Sequence, residues 1–222
     1  MAVKLDYDDK IAIIRLGDDE NRFSPAFLDD VEAALDQVIS DGALGLVTTA
    51  GGKFYSNGLD LDWLSAHTDR GPWYINRVHR LLARVLTLSV PTAAAVVGHA
   101  FGAGAMLAIA HDFRAMRDDR GYFCFPEVDI RIPFNPGMAA LIQSKLTPRA
   151  AVASMTTGRR FSGPDAAQFG IVDVACPADA VTGTAVDQIR PLGGKDPGTL
   201  RAIKQTMFGH VVRALTDSDE AL

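Results

Sequence analysis

The chain has 222 residues, enough for one domain with a substantial core. A formal net charge of −5, without any Lys/Arg cluster, argues against a nucleic-acid partner. Cys124 and Cys176 have neither metal-ligand nor redox spacing, and residues 1–6 lack the basic-then-apolar form of a secretion signal, so a reducing, cytoplasmic location is expected.

Residues 11–16 read as a strand and 18–21 as a polar turn. Ser24-Pro25 has the form of an N-cap followed by proline at the first helical position. Phe27, Leu28, Val31, Leu35, Val38 and Ile39 then make one apolar face, predicting a helix that stops near Gly42. A strand over 44–49 follows, then a helix over 73–88 with Ile75, Val78, Leu81, Leu82, Val85 and Leu86 apolar. From Val85 to Ala110 there is no Asp, Glu, Lys or Arg, a run long enough to suggest a membrane span. Pro91 and the glycines at 98, 102 and 104 cut it into a helix end, a strand over 92–97, a turn and another helix, so no membrane is expected. Residues 113–116 and 122–125 flank a polar turn at 118–121. After Pro136 the character becomes helical: 138–146, 148–157 and 163–169, the last opened by Ser162 with an acid, Asp165, three residues on. A short strand over 171–174 precedes helices over 178–189 and 197–208, and Asp217 to Glu220 reads as a frayed end. Periodicity by itself supports an α/β class.

Two small-residue turns stand out. Ser56-Asn57-Gly58-Leu59-Asp60-Leu61 and Gly98-His99-Ala100-Phe101-Gly102-Ala103-Gly104 each come after a buried-strand pattern and lead into helical spacing. Such turns leave backbone N–H groups without intrahelical partners. If the two converge, a pair of N–H donors can hold one developing oxyanion.

Four stretches resemble the crotonase (enoyl-CoA hydratase/isomerase) superfamily. They are Lys53 to Leu61, Gly98 to Asp112, Phe125-Pro126-Glu127-Val128-Asp129-Ile130, and Thr157 to Asp173. The first carries one extra residue between Phe54 and Ser56, and in the second Ala103 replaces the middle glycine of a triplet. The resemblance implies a crotonase-like spiral of repeated strand–strand–helix units over residues 1–135. A helical C-terminal region over 136–222 would belong to the same structural unit and serve trimerisation, giving a homotrimer or hexamer.

The resemblance also implies a site. Glu127 would be the catalytic carboxylate, and the Leu59 and Ala103 N–H groups would grip a thioester oxygen. Partly buried among Phe125, Pro126, Val128 and Ile130, Glu127 is expected to have a raised pKa. Read as part of a strand, it shares a face with Asp129, a second acid of structural or surface character. The substrate-binding set comprises Arg22, Lys53, Asn57, Gly58, Leu59, Asp60, Leu61 and Ala103, with Arg22 and Lys53 as candidates for coenzyme A phosphates. Asp60 and Asp112 match family positions as hydrogen-bonding braces of the turns. His99 and His111, in the apolar second motif, read as satisfied core or pocket histidines, His67, His79 and His210 are scattered without metal spacing, and Trp63 and Trp73 read as packing. Gly102-Ala103-Gly104 fails the spacing of a dinucleotide fingerprint, since Leu107 stands at its third glycine.

Met106 occupies the position where family hydratases place a second glutamate. With Glu127 present and Met106 there, the chain is similar to single-glutamate Δ3,Δ2-enoyl-CoA isomerases, with features that look like the plant peroxisomal ones. The expectation is an acyl-CoA enzyme that moves a double bond from C3 to C2, needing no metal or redox cofactor because coenzyme A is part of the substrate. Hydration assisted by Asp129, or thioester hydrolysis, is the alternative enzyme; a non-catalytic acyl-CoA-binding protein is the alternative of another class.

Overall fold

The computed structural model describes residues 3–217. In chain order the elements are β1 Lys4–Asp8, β2 Ile11–Arg15, α1 Pro25–Ser40, β3 Gly45–Thr49, β4 Phe54–Ser56, α2 Leu61–Ala66, α3 Gly71–Leu86, β5 Thr92–Val96, β6 His99–Phe101 and α4 Ala103–Ala110. They continue with β7 Phe113–Arg117, β8 Phe123–Cys124, α5 Glu127–Ile130, α6 Pro136–Lys145, α7 Pro148–Met155, α8 Gly163–Gln168, β9 Val174–Cys176, α9 Val181–Ile189 and α10 Pro197–Thr216.

Two sheets result, one ordered β1-β2-β3-β5-β7-β9 and the other β4-β6-β8. Of the pairs between these strands only β1–β2 is antiparallel, and one antiparallel bridge joins Phe123 of β8 to Phe161. The chain repeatedly lays one strand in each sheet and then a helix: β3 and β4 before α2 and α3, β5 and β6 before α4, β7 and β8 before α5. These are the repeated strand–strand–helix units that the sequence resemblance implies.

Side-chain alternation explains the alanine-rich β5. Ala94 and Val96 face the main core, whereas Ala93 and Ala95 join Ile13, Val47 and Ala115 against Val181, Ala185 and Ile189 of α9. A strand covered on both faces by close neighbours favours small side chains. The helices beyond residue 136 therefore pack on the spiral itself: α9 on β5 and β7, α10 on α3 and α6.

Ser24, Asn135, Thr147, Ser162 and Asp196 each cap the helix that follows through a side-chain oxygen, with proline in the first turn every time. Several helix ends move by two or three residues and β1 was not anticipated; three larger differences from the sequence reading have a local cause. Helix α10 continues to Thr216 because Phe208, Val211 and Leu215 bury one face, outweighing the roughly 1 kcal/mol cost of Gly209 in a helix. The strand expected at 171–174 starts only at Val174, because Ile171 N–H returns to Ala166 C=O at the end of α8. Residues 127–130, read as strand, form the helical turn α5. Pro126, at φ −83° and ψ 6°, turns the chain, and its carbonyl accepts from both Asp129 and Ile130 N–H. Among the described residues no helix is long and apolar enough to cross a membrane. The frayed end read at Asp217 to Glu220 falls, beyond Asp217, outside the described residues.

Candidate active site

The first turn is tied down before it reaches the site. Ser56 Oγ donates to Asn21 C=O at 2.7 Å and accepts from Gly58 N–H at 3.1 Å. Asn57 N–H reaches Glu20 C=O at 2.8 Å, and Phe23 N–H donates to Gly58 C=O at 2.8 Å. Asp60 then caps α2 by accepting from Trp63 N–H at 3.0 Å, while Tyr74 Oη accepts from Asp60 N–H at 2.8 Å. The second turn hangs from β8 through Gly102 N–H to Cys124 C=O at 3.0 Å, and α4 begins at Ala103.

The two turns meet. Gly58 has φ +80°, and a Cβ there would lie 2.7 Å from Phe101 O and 2.9 Å from Ala103 N. Reciprocally, a Cβ on Gly104 would lie 2.4 Å from Ser56 O. Glycine is required at both positions because each turn is seated on the backbone of the other. Neither Leu59 N–H nor Ala103 N–H donates a hydrogen bond among the described residues. Gly58→Ala is expected to cost at least about 2 kcal/mol of stability, from left-handed strain plus the collision with the second turn. A urea or thermal unfolding midpoint equal to wild type would contradict that seating.

Glu127 opens α5 and faces the second turn: its Oε1 is 3.6 Å from where a Cβ on Gly102 would stand. It is 8% exposed, and its Oε2 has no hydrogen-bond partner among the described residues. Burial pushes the carboxyl up to about 7, partly opposed by a bond to its own backbone N–H. A cleft of about 390 Å³ opens in front of it. Leu59, Leu61, Phe101, Ala103, Met106, Ile130, Ile132 and Met138 provide apolar walls, and Asn57, Arg22 and Asp62 reach the rim.

Of the residues singled out in the sequence, Glu127, Leu59, Ala103, Asn57, Leu61 and Arg22 line this cleft together. Arg22 is engaged by Glu20 at 2.5 Å and Asp62 at 2.7 Å. Gly58, Asp60 and Lys53 do not line it. Gly58 is buried under the turn, Asp60 is the α2 cap, and the Lys53 ammonium stands 5.4 Å from the centre of the Phe54 ring.

Asp129 corrects the strand reading directly. Two residues along a helix is about 200° of rotation, so the acid leaves the Glu127 face. Its carboxylate lies against Gly158, where a Cβ would meet Oδ2 at 2.3 Å, and Asp129 is exposed. Asp112 also braces something other than a turn: it accepts from Thr92 N–H and from Lys204 Nζ, tying β5 to α10. His111 is a satisfied core histidine, bonded to Thr48 and to Leu107 C=O, and burial pushes its ring down to about 4. No group of three or more His, Cys, Asp or Glu among the described residues is arranged to hold a metal ion.

Ile132 and Met138 escaped the sequence reading, and Ile130 was expected beside Glu127 only as a strand neighbour. Ile130 follows Glu127 by three residues, which places it on the same helical face once α5 is known to be helix.

The family model for enoyl-CoA hydratase/isomerase matches residues 6–221. Enoyl-CoA delta isomerase 2, peroxisomal, of Arabidopsis thaliana is 38% identical over 190 residues, covering 81% of this chain and 78% of the relative. The plant's enoyl-CoA delta isomerase 1, peroxisomal, is 35% identical over 183 residues, covering 80% of this chain and 76% of the relative. Among solved structures, human mitochondrial delta3-delta2-enoyl-CoA isomerase superposes with a TM-score of 0.90 at 23% identity, covering 100% of this chain and 88% of that one, a likeness of fold.

Proposed function

The chain belongs to the enoyl-CoA hydratase/isomerase family, and from that premise we propose that it isomerises 3-enoyl-CoA to 2-enoyl-CoA with Glu127 as the sole proton carrier. The observation that carries this reading is one unpaired, buried carboxyl beside two unengaged N–H groups, with apolar Met106 across the cleft.

In the proposed reaction the thioester oxygen sits between the Leu59 and Ala103 N–H groups. Their positive ends draw electron density from the carbonyl, which acidifies C2–H and stabilises the dienolate oxygen. Glu127, held near 7, takes the C2 proton, and the neutral acid returns it at C4. The double bond then lies between C2 and C3, conjugated with the thioester. A pKa close to the operating pH suits a group that is first base and then acid. The apolar walls exclude water from the dienolate, and no cofactor beyond the substrate's own coenzyme A is invoked. Arg22 is proposed to meet a coenzyme A phosphate by exchanging Asp62, whose side chain is 89% exposed and weakly held.

The test is a spectrophotometric assay of purified protein with a 3-enoyl-CoA, reading conjugation of the product. Tight binding of the thioester without any absorbance change would favour the acyl-CoA-binding alternative. For assembly we propose a homotrimer or a hexamer built on the helices beyond residue 136. Multi-angle light scattering that shows only monomer at micromolar concentration would overturn this. A cytoplasmic location is retained from composition; the two plant relatives carry a peroxisomal label in their names, and a fluorescent fusion distinguishes the two compartments.

A further inference from the structure

Helix α6 has Met138 in the catalytic cleft and, at its other end, Lys145 in a second hollow. This cavity of about 510 Å³ lies between the end of α6, residues 192–196 and α10, and shares no lining residue with the cleft. Its walls are mostly apolar, with Leu200, Ile203, Met207 and Phe208 along one side. In the single chain Ile203 is 50% and Met207 58% exposed, so the apolar side is open there.

Among the charged groups lining the hollow, Lys204, Asp112 and Asp196 are engaged, whereas Lys145 and Lys195 make no ion pair among the described residues. Lys204 Nζ donates to Asp112 Oδ2 at 2.6 Å and to Val90 C=O at 3.0 Å. Asp196 caps α10 through Thr199 N–H and Oγ1, and Lys195 is exposed at the mouth. Lys145 is half-buried, and among the described residues its ammonium makes no ion pair; its contact is the Phe208 ring, 5.2 Å from the centroid. Burial, then the positive charge of Arg114, push it down to about 8; Lys204 adds to this, while Asp112 and Asp173 oppose it. A mostly apolar cavity of a few hundred Å³ with one convergent polar group is the usual form of a small-molecule site.

We propose that this cavity binds a free straight-chain carboxylate, its head group on Lys145 Nζ and its alkyl chain along Ile203, Met207 and Phe208. Of the two ammonium groups without an ion pair, Lys195 is exposed at the mouth and Lys145 is half-buried inside, so the interior offers a single charge to match one monoanion. Arg114, close enough for its charge to act on Lys145, is already bound to Ile171 and His111 carbonyls and does not line the hollow, so a phosphate would lack a bidentate partner. The carboxylate requires the charged amine. Between about pH 6, where the ligand is fully ionised, and about pH 8 affinity is therefore expected to be level, and to fall above that as Lys145 loses its proton. Lys204 faces the same space and is also depressed by burial, so the pH profile is read against the Lys145 variants.

The experiment is isothermal titration of the full chain with submicellar decanoate at pH 7.5, with 1-decanol as the uncharged comparison. One decanoate per chain is expected, weakened at least about tenfold by Lys145→Met, kept within a few-fold by Lys145→Arg, and weakened by Met207→Asp. Isomerase activity of Lys145→Met should match wild type, which separates this site from the catalytic reading. Undiminished binding in Lys145→Met, decanol binding as tightly as decanoate, or no binding because a second copy covers the hollow would each overturn the proposal.

Discussion

Glu127→Gln should lower isomerase turnover at least about a hundredfold, leave affinity for the coenzyme A ester within a few-fold, and make the protein more stable at pH 8. The rate loss follows from chemistry: the amide keeps the shape of the acid but cannot accept the C2 proton. The gain in stability follows from linkage. In the folded chain the carboxyl titrates at about 7 rather than its ordinary 4.5, so the native state holds this proton more tightly than the unfolded state does. The favourable contribution is complete below about pH 4.5 and is lost as pH rises through 7. By pH 8 wild type carries the whole cost of an unpaired buried carboxylate, up to about 3 kcal/mol for a displacement of that size. Glutamine never ionises, although its own unsatisfied amide returns part of the gain, leaving about 1–2 kcal/mol. Urea unfolding at pH 4 and pH 8 gives the check: the variant's advantage should appear only at the higher pH. In wild type, kcat/KM should rise as pH increases through about 7 and then level, because the base must be ionised in the free enzyme. Full activity in Glu127→Gln would mean that another group is the base.

The sequence exposed the parts of this site that depend on local chemistry. The glycines of both turns, the Ser24-Pro25 and Ser162 caps, and the acid after Pro126 are recognisable because each residue type has a backbone reason to be there. The strands of the second sheet, β4, β6 and β8, were hidden or blurred for the opposite reason. Each has only two or three residues, and their pairing depends on neighbours supplied from other coils of the spiral. Asp129 was misplaced because the alternation from Phe123 to Phe125 was carried past Pro126, where the chain turns into helix. Lys53 illustrates a different limit: its charge was visible, but that it stands on Phe54 outside the cleft depends on the direction of β4, which periodicity does not report. The same holds for Ile132 and Met138, brought to the cleft from a loop and from the first turn of α6.

Met106→Glu should destabilise the fold by several kcal/mol, and wild type should hydrate a short 2-enoyl-CoA far more slowly than it isomerises a 3-enoyl-CoA. Met106 is 1% exposed on α4, a helix whose residues from Ala103 to Ala110 are all buried. Its neighbours Ala105, Leu107 and Ile109 offer no donor to a carboxylate. Met106 lines the cleft, where Glu127 already stands with an unpartnered oxygen. Two acids sharing that space cannot both ionise at low cost, so at least one would remain protonated near neutral pH. A pair that shares one proton no longer leaves Glu127 to act alone, so the added acid should weaken isomerisation, and any hydration it introduces should be weak beside the loss of stability. Thermal unfolding of Met106→Glu beside Met106→Gln separates charge from shape: the glutamate should lose stability relative to glutamine as pH rises from 5 to 8, since only its side chain acquires charge there. The decisive quantity is the ratio of the two wild-type rates. If hydration equals or exceeds isomerisation, then a group outside the Glu127 face activates water, one carboxylate no longer accounts for the chemistry, and the isomerase proposal falls.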